Sequence, residues 1–219
     1  MTQEENLGQI VILNGTPRAG KSSIVKVIQE TFDGPWLNLG VDAFKERIHP
    51  QHYSPSIGLR PGGEGSHLEP LIVMLYAAMY ESIAAHSRLG LNVVVDVGHH
   101  DWYSKPLGIL PDSARRLQGL PVLFVGVRCP VEVIIERLRQ TGRWNNAWDS
   151  EISQAHPVPA PLLRWQQAVH QPGIYDLEVD TSLLSPDECA NVIWERLQNG
   201  PAPMAFQQLA QLSANDTNA

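Results

Sequence analysis

The chain has 219 residues, 43% of them hydrophobic and 18% charged, which suits one α/β domain large enough to bury a full core. A formal net charge of −7 at pH 7 argues against nucleic acid or an anionic membrane as the main partner. The two cysteines, Cys129 and Cys189, have neither disulfide-framework nor metal-ligand spacing, the acidic start Met1 to Asn6 reads as no targeting signal, and no apolar run approaches the roughly 20 residues of a membrane span. These features lead to the expectation of a cytoplasmic protein, and they leave the oligomeric state open.

Taken in order, Ile10 to Leu13 is a short apolar run that reads as a buried strand. It breaks into Gly15-Thr16-Pro17-Arg18-Ala19-Gly20-Lys21-Ser22-Ser23, which fits the P-loop pattern G-x-x-x-x-G-K-[ST], and Ile24, Val25, Val27 and Ile28 then follow at helical spacing. In that strand–loop–helix context backbone N–H groups cradle phosphate oxygens at the positive end of a helix. Lys21 is expected to reach the β- and γ-phosphates of ATP, and Ser22 to offer its hydroxyl to Mg²⁺.

Gly34-Pro35 separates this unit from a second strand, Trp36 to Leu39, which delivers Gly40-Val41-Asp42 to a short helix over Ala43 to Ile48. His49 to Ser66 is a long Pro-, Gly- and His-rich loop. A long, largely buried helix over Leu68 to Leu89 leads to a third strand, Asn92 to Asp96, and then to Gly98-His99-His100-Asp101-Trp102-Tyr103. A short helix near Asp112 to Leu117 precedes a fourth strand, Val122 to Val127, ending in Arg128-Cys129-Pro130. An amphipathic helix over Glu132 to Gln140 runs into an irregular Trp- and Pro-rich stretch, residues 144–161. A helix near Leu162 to Val169, a fifth strand over Asp176 to Val179, and a closing helix over Asp187 to Leu197 with Ser185 as N-cap complete the pattern. Five alternating strands with right-handed crossovers make one doubly wound parallel sheet with helices on both faces. The expected organisation is a single domain over residues 1–198, with a lid at about 139–161 and a flexible or loosely docked tail over 199–219.

Ligands of such sheets sit outside the carboxyl ends of the strands. Asp42 ends the second strand and Asp96 the third, so two carboxylates flank the P-loop. Asp42 suits a base toward an attacking hydroxyl, or a helix cap; Asp96 suits Mg²⁺, directly or through water, or acceptor contact. Arg137, Arg139 and Arg143 suit a lid that closes on transferring phosphate, or simple complements to a helix dipole, and Thr181 follows the fifth strand. Tyr53, Arg60, His99 and Trp102 are candidates for an acceptor pocket.

The segments Ile12-Leu13-Asn14-Gly15, Pro35-Trp36-Leu37, Gly40-Val41-Asp42, Val125-Gly126-Val127-Arg128-Cys129, Val169-His170 and Tyr175 to Thr181 occur in an order that resembles the chloramphenicol phosphotransferase family of P-loop kinases, over about residues 8–197. The resemblance implies a shikimate- and adenylate-kinase-like fold with strand order 2-3-1-4-5, ATP with Mg²⁺, transfer of the γ-phosphoryl group to a small-molecule hydroxyl, and Asp42 as the base. Two departures stand out: Asp96 is followed by Val97 rather than a second aspartate, and the lid reads Arg139-Gln140-Thr141-Gly142-Arg143-Trp144. The acceptor is therefore open between chloramphenicol, another antibiotic, a nucleotide-sugar and a metabolite. A nucleotide-dependent switch without an acceptor is the alternative from another class.

Overall fold

A computed structural model describes residues 7–45, 60–63, 65–140 and 158–212. Five parallel strands, β1 (Ile10–Asn14), β2 (Trp36–Asn38), β3 (Asn92–Val97), β4 (Val122–Arg128) and β5 (Leu177–Asp180), form one sheet in the order β2-β3-β1-β4-β5. The central strands are apolar through their middles, with polar residues near their ends, because both faces of the sheet are covered. Ile10, Ile12, Val93, Val95, Val122 and Phe124 face one core, and Val11, Leu13, Val94, Leu123, Val125 and Val127 face the other.

Helices α1 (Lys21–Thr31), α5 (Val131–Gln140), α6 (Ala160–Ala168) and α7 (Pro186–Asn199) contribute to the second core through residues such as Ile24, Ile28, Ile134, Leu162 and Ile193. The first core takes α3 (Glu69–Arg88), α4 (Ile109–Arg116) and α8 (Ala205–Gln211), while α2 (Val41–Lys45) follows β2 directly. The N-terminus of α7 carries the expected Ser185 cap. Ser185 Oγ accepts from the Glu188 N–H at 3.2 Å, and Glu188 accepts in return from the Ser185 N–H at 2.8 Å.

The register sets the site. Leu13 lies level with Asp96 on one side and Val125 on the other, and Asn14 lies level with Val97 and Gly126. On the outer strand, Arg128 is level with Asp180. The carboxyl ends of β1, β3, β4 and β5 thus finish along one edge.

Three expectations change. Residues Ser66–Arg88 form a 23-residue helical run that is long and apolar enough to match a membrane span by length and composition, so the absence of such a run does not hold. Its face bearing Ile72, Tyr76, Met79, Tyr80, Ile83 and Ala84 is buried against the sheet, which accounts for much of that apolar content. Second, the segment after Asn199 carries a helix: α8 buries Ala205, Phe206 and Leu209, and Asp176 Oδ1 accepts the Met204 and Ala205 N–H groups at 2.6 and 2.9 Å. Third, α2 starts at Val41, which puts Asp42 inside its first turn instead of at the cap. The lid region over 141–157 and the loop residues 46–59, with Tyr53, Arg143, Trp144 and Trp148, lie outside the described residues.

Candidate functional site

A cleft of about 810 Å³ opens at the carboxyl edge of the sheet. One end is the phosphate loop. Gly20, with φ of +94°, turns the chain into α1, and that helix begins without a side-chain cap, so its first N–H groups are available to an anion. Arg18 takes a left-handed conformation, φ +68°, which costs a non-glycine residue about 1–2 kcal/mol.

Lys21 Nζ donates to the Gly15 and Thr16 carbonyls at 2.7 and 2.9 Å. Loss of hydration at the cleft floor pulls its pKa down to about 8, and the charges of Asp96 and then Asp42 oppose that fall. Both carboxylates are therefore near enough to act on the lysine. Ser22 Oγ donates to Asp96 Oδ2 at 2.8 Å. Gly40 lets the chain pass close to Asp96: a Cβ there would stand 2.0 Å from Asp96 Oδ1, so a larger residue would have to displace that carboxylate.

Arg137 lines the cleft beside the loop. Its guanidinium donates to Thr181 Oγ1 at 3.1 Å, to the Thr181 carbonyl at 2.5 Å and to Cys129 Sγ at 3.3 Å, while Thr181 Oγ1 donates to the Ala19 carbonyl at 2.8 Å. The arginine is thus tied to the phosphate loop through one threonine. Leu184, Ser185 and Pro186 continue the lining on that side.

An apolar surface is offered by Tyr76, Val97, Gly98 and Trp165, with Gly98 against the Trp165 ring, and Val41, Leu162, Asp42 and Arg60 line the cleft as well. Sequence reading missed Tyr76, Leu162 and Trp165, whose helical spacing looks the same as that of core residues.

The fold brings Gly15, Pro17, Arg18, Gly20, Lys21, Ser22, Ser23, Asp42, Arg60, Asp96, Arg137 and Thr181 to one cleft. Thr16 and Ala19, buried within the phosphate loop, and His99, Trp102 and Arg139 are not among the described residues that line it. His99 is 1% exposed; its Nε2 lies 2.6 Å from the Tyr80 hydroxyl, and burial, with His100 adding to it, drops its pKa to about 3. It is a neutral core imidazole. Trp102 Nε1 donates to Gln171 Oε1 at 3.0 Å, away from the lining, and Arg139 is exposed near the end of α5. The described residues hold no group of three or more His, Cys, Asp or Glu side chains suited to a metal.

Comparison with known proteins places this geometry. A family model described as chloramphenicol phosphotransferase-like protein matches residues 8–198. A protein of Mycobacterium tuberculosis, in strains CDC 1551 and H37Rv, is named as a proposed O-phosphotransferase; it is 26% identical over 217 residues, covering 92% of this chain and 88% of its own. Among solved structures, the Mycobacterium tuberculosis APS kinase CysC in complex with AMPPNP and APS is 16% identical with a TM-score of 0.58, covering 88% of this chain and 99% of its own. A sugar kinase from Janibacter sp. is also 16% identical, with a TM-score of 0.54 and coverage of 93% and 96%. At such identities the structural likeness speaks for the fold, a P-loop kinase sheet with helices on both sides.

Proposed function

The chain belongs to the chloramphenicol phosphotransferase-like family, and from that premise we propose that it transfers the γ-phosphoryl group of ATP to a hydroxyl on a small molecule. The family and the sheet order support a phosphotransferase of kinase fold. The observation that carries the proposal is the placement of Asp42 and Asp96 in one cleft with Lys21, both close enough to act on its charge.

In this mechanism the α1 N-terminus and Lys21 hold the phosphates, and Arg137 stabilises charge on the transferring group from its anchored position on Thr181. Asp42, exposed on the first turn of α2, accepts the proton of the acceptor hydroxyl. Ser22 and Asp96 fit Mg²⁺: both are hard oxygen donors, 2.8 Å apart at the cleft floor, and Mg²⁺ bound with nucleotide takes only one or two protein oxygens. When bound, the ion would neutralise charge on the phosphates. The apolar wall of Tyr76, Val97 and Trp165 supports an acceptor with an apolar, flat part beside its hydroxyl, and Arg60 in the same cleft suits a polar substituent. A reaction that draws on ATP would place the protein in the cytoplasm.

The direct test is Asp42→Asn. Affinity for Mg·ATP should stay within about threefold of the wild type, while turnover with a hydroxylated acceptor should fall at least about a hundredfold. Unchanged turnover would remove Asp42 from the role of base.

A further inference from the structure

Immediately before the phosphate loop stands Asn14, 1% exposed at the end of β1. Its carboxamide is fixed in orientation by what surrounds it. Oδ1 accepts the His99 N–H at 2.7 Å, and Nδ2 donates to the Val169 carbonyl at 2.8 Å and to the Tyr175 hydroxyl at 2.9 Å. Reversing the amide would set oxygen against a carbonyl and NH₂ against an N–H. The Tyr175 hydroxyl in turn lies 2.9 Å from His170 Nδ1, and burial, with the charges of Arg128 and Lys21, keeps that imidazole neutral down to about pH 4.

These partners come from three separate stretches: the turn after β3, the end of α6, and the segment before β5. Two of them carry the apolar wall of the cleft. Gly98 precedes His99, and Trp165 lies one helical turn before Val169, whose N–H bonds to the Trp165 carbonyl at 3.0 Å. The two residues touch: a Cβ on Gly98 would stand 2.9 Å from the Trp165 ring. Trp165 is also braced edge-on by His100, at 5.0 Å between ring centres.

We propose that Asn14 is a positioning residue for the acceptor wall: by holding the His99 N–H and the Val169 carbonyl on one carboxamide, it fixes the Gly98–Trp165 contact. The phosphate loop starts one residue later and is held by other bonds, such as Gly15 N–H to the Val97 carbonyl at 3.3 Å and Lys21 to the loop carbonyls. Removing the carboxamide should therefore loosen the acceptor side while sparing the nucleotide side. This inference rests on the phosphotransferase reading for its functional meaning, but its structural content stands apart from it.

The test uses the full chain with Asn14→Leu, which keeps the size and removes all three bonds. Three readouts are taken: hydrogen exchange of residues 97–102 and 165–171, the dissociation constant of a fluorescent Mg·ATP analogue, and the Michaelis constants for ATP and for chloramphenicol as probe acceptor. Exchange in both segments should speed up at least about tenfold, while nucleotide binding moves less than about threefold. The Michaelis constant for chloramphenicol should rise at least about tenfold with that for ATP nearly unchanged. Unchanged exchange, or nucleotide affinity lost in step with the acceptor side, would overturn the assignment. If wild type does not turn over chloramphenicol, the acceptor reading suffers, and exchange with nucleotide affinity alone decides on Asn14. Should Asn14→Leu fail to fold, Tyr175→Phe removes one of the three partners, and faster exchange confined to 165–171 is then expected; no change there would count against the proposal.

Discussion

At Lys21 two effects of opposite sign meet, and dehydration wins over the two carboxylates, leaving a pKa near 8 in the unliganded protein. A bound triphosphate favours the ammonium, so binding above about pH 8 must take up a proton, and nucleotide affinity should fall as pH rises from there toward 10.5. Calorimetric titration with Mg·ATP at pH 7 and at pH 9, each in two buffers of different ionisation heat, measures that proton directly. Proton uptake should be close to absent at pH 7 and substantial at pH 9; equal uptake at both would contradict the shift. The same shift makes the unliganded fold gain stability as pH climbs from about 8 to 10.5, because the unfolded chain binds the proton more tightly in that window. The placement of Lys21 and Ser22 in the cleft was legible in the sequence because the P-loop is a local motif whose geometry is set by its own residues. His99 was not: it follows β3 as closely as a site residue would, yet the turn aims its ring at Tyr80 and Tyr76 in the core. No local pattern tells which way such a turn points. Asn14 stood in a segment that carried the family likeness, but its role appears only when residues more than 80 positions away close around it.

At the scale of elements, the strands were read well because each carries a short apolar run, and the central three, β1, β3 and β4, are largely buried on both faces. Helix starts were read to within a few residues, and proline accounts for part of the drift: Pro161 in the first turn of α6 was expected to lie outside the helix. The segment holding α8 was expected only as a flexible or loosely docked tail, without a helix. Seven residues of Ala, Phe, Gln and Leu after Gly200-Pro201-Ala202-Pro203 make a weak helix alone, and they are stable here through docking on α4 and β4. Phe206 is 5% exposed and meets Phe124 edge-on at 5.1 Å and Tyr80 at 6.5 Å. Phe206→Ala should cost about 3–5 kcal/mol of unfolding free energy in a urea titration. A cost below about 1 kcal/mol would mean that α8 is a detachable tail after all.

For the whole molecule, the sheet edge gathers two half-sites that differ in chemistry. One is polar and cationic, built from the P-loop, Arg137 and Thr181; the other is apolar, built from α3, α6 and the turn after β3; Asp42 and Asp96 line the same cleft. A phosphate site alone would have no use for the second half. Transfer to an acceptor needs both, and needs water excluded between them. The measurement that bears most directly on this account incubates the full chain with Mg²⁺, ATP labelled at the γ-phosphate, and a panel of hydroxylated compounds that includes chloramphenicol, each paired with its deoxy counterpart. Label should appear on at least one hydroxylated compound and on none of the deoxy partners, with ADP formed in step. ADP released at the same slow rate whether or not any of these compounds is present, with all label recovered as free phosphate, would contradict it.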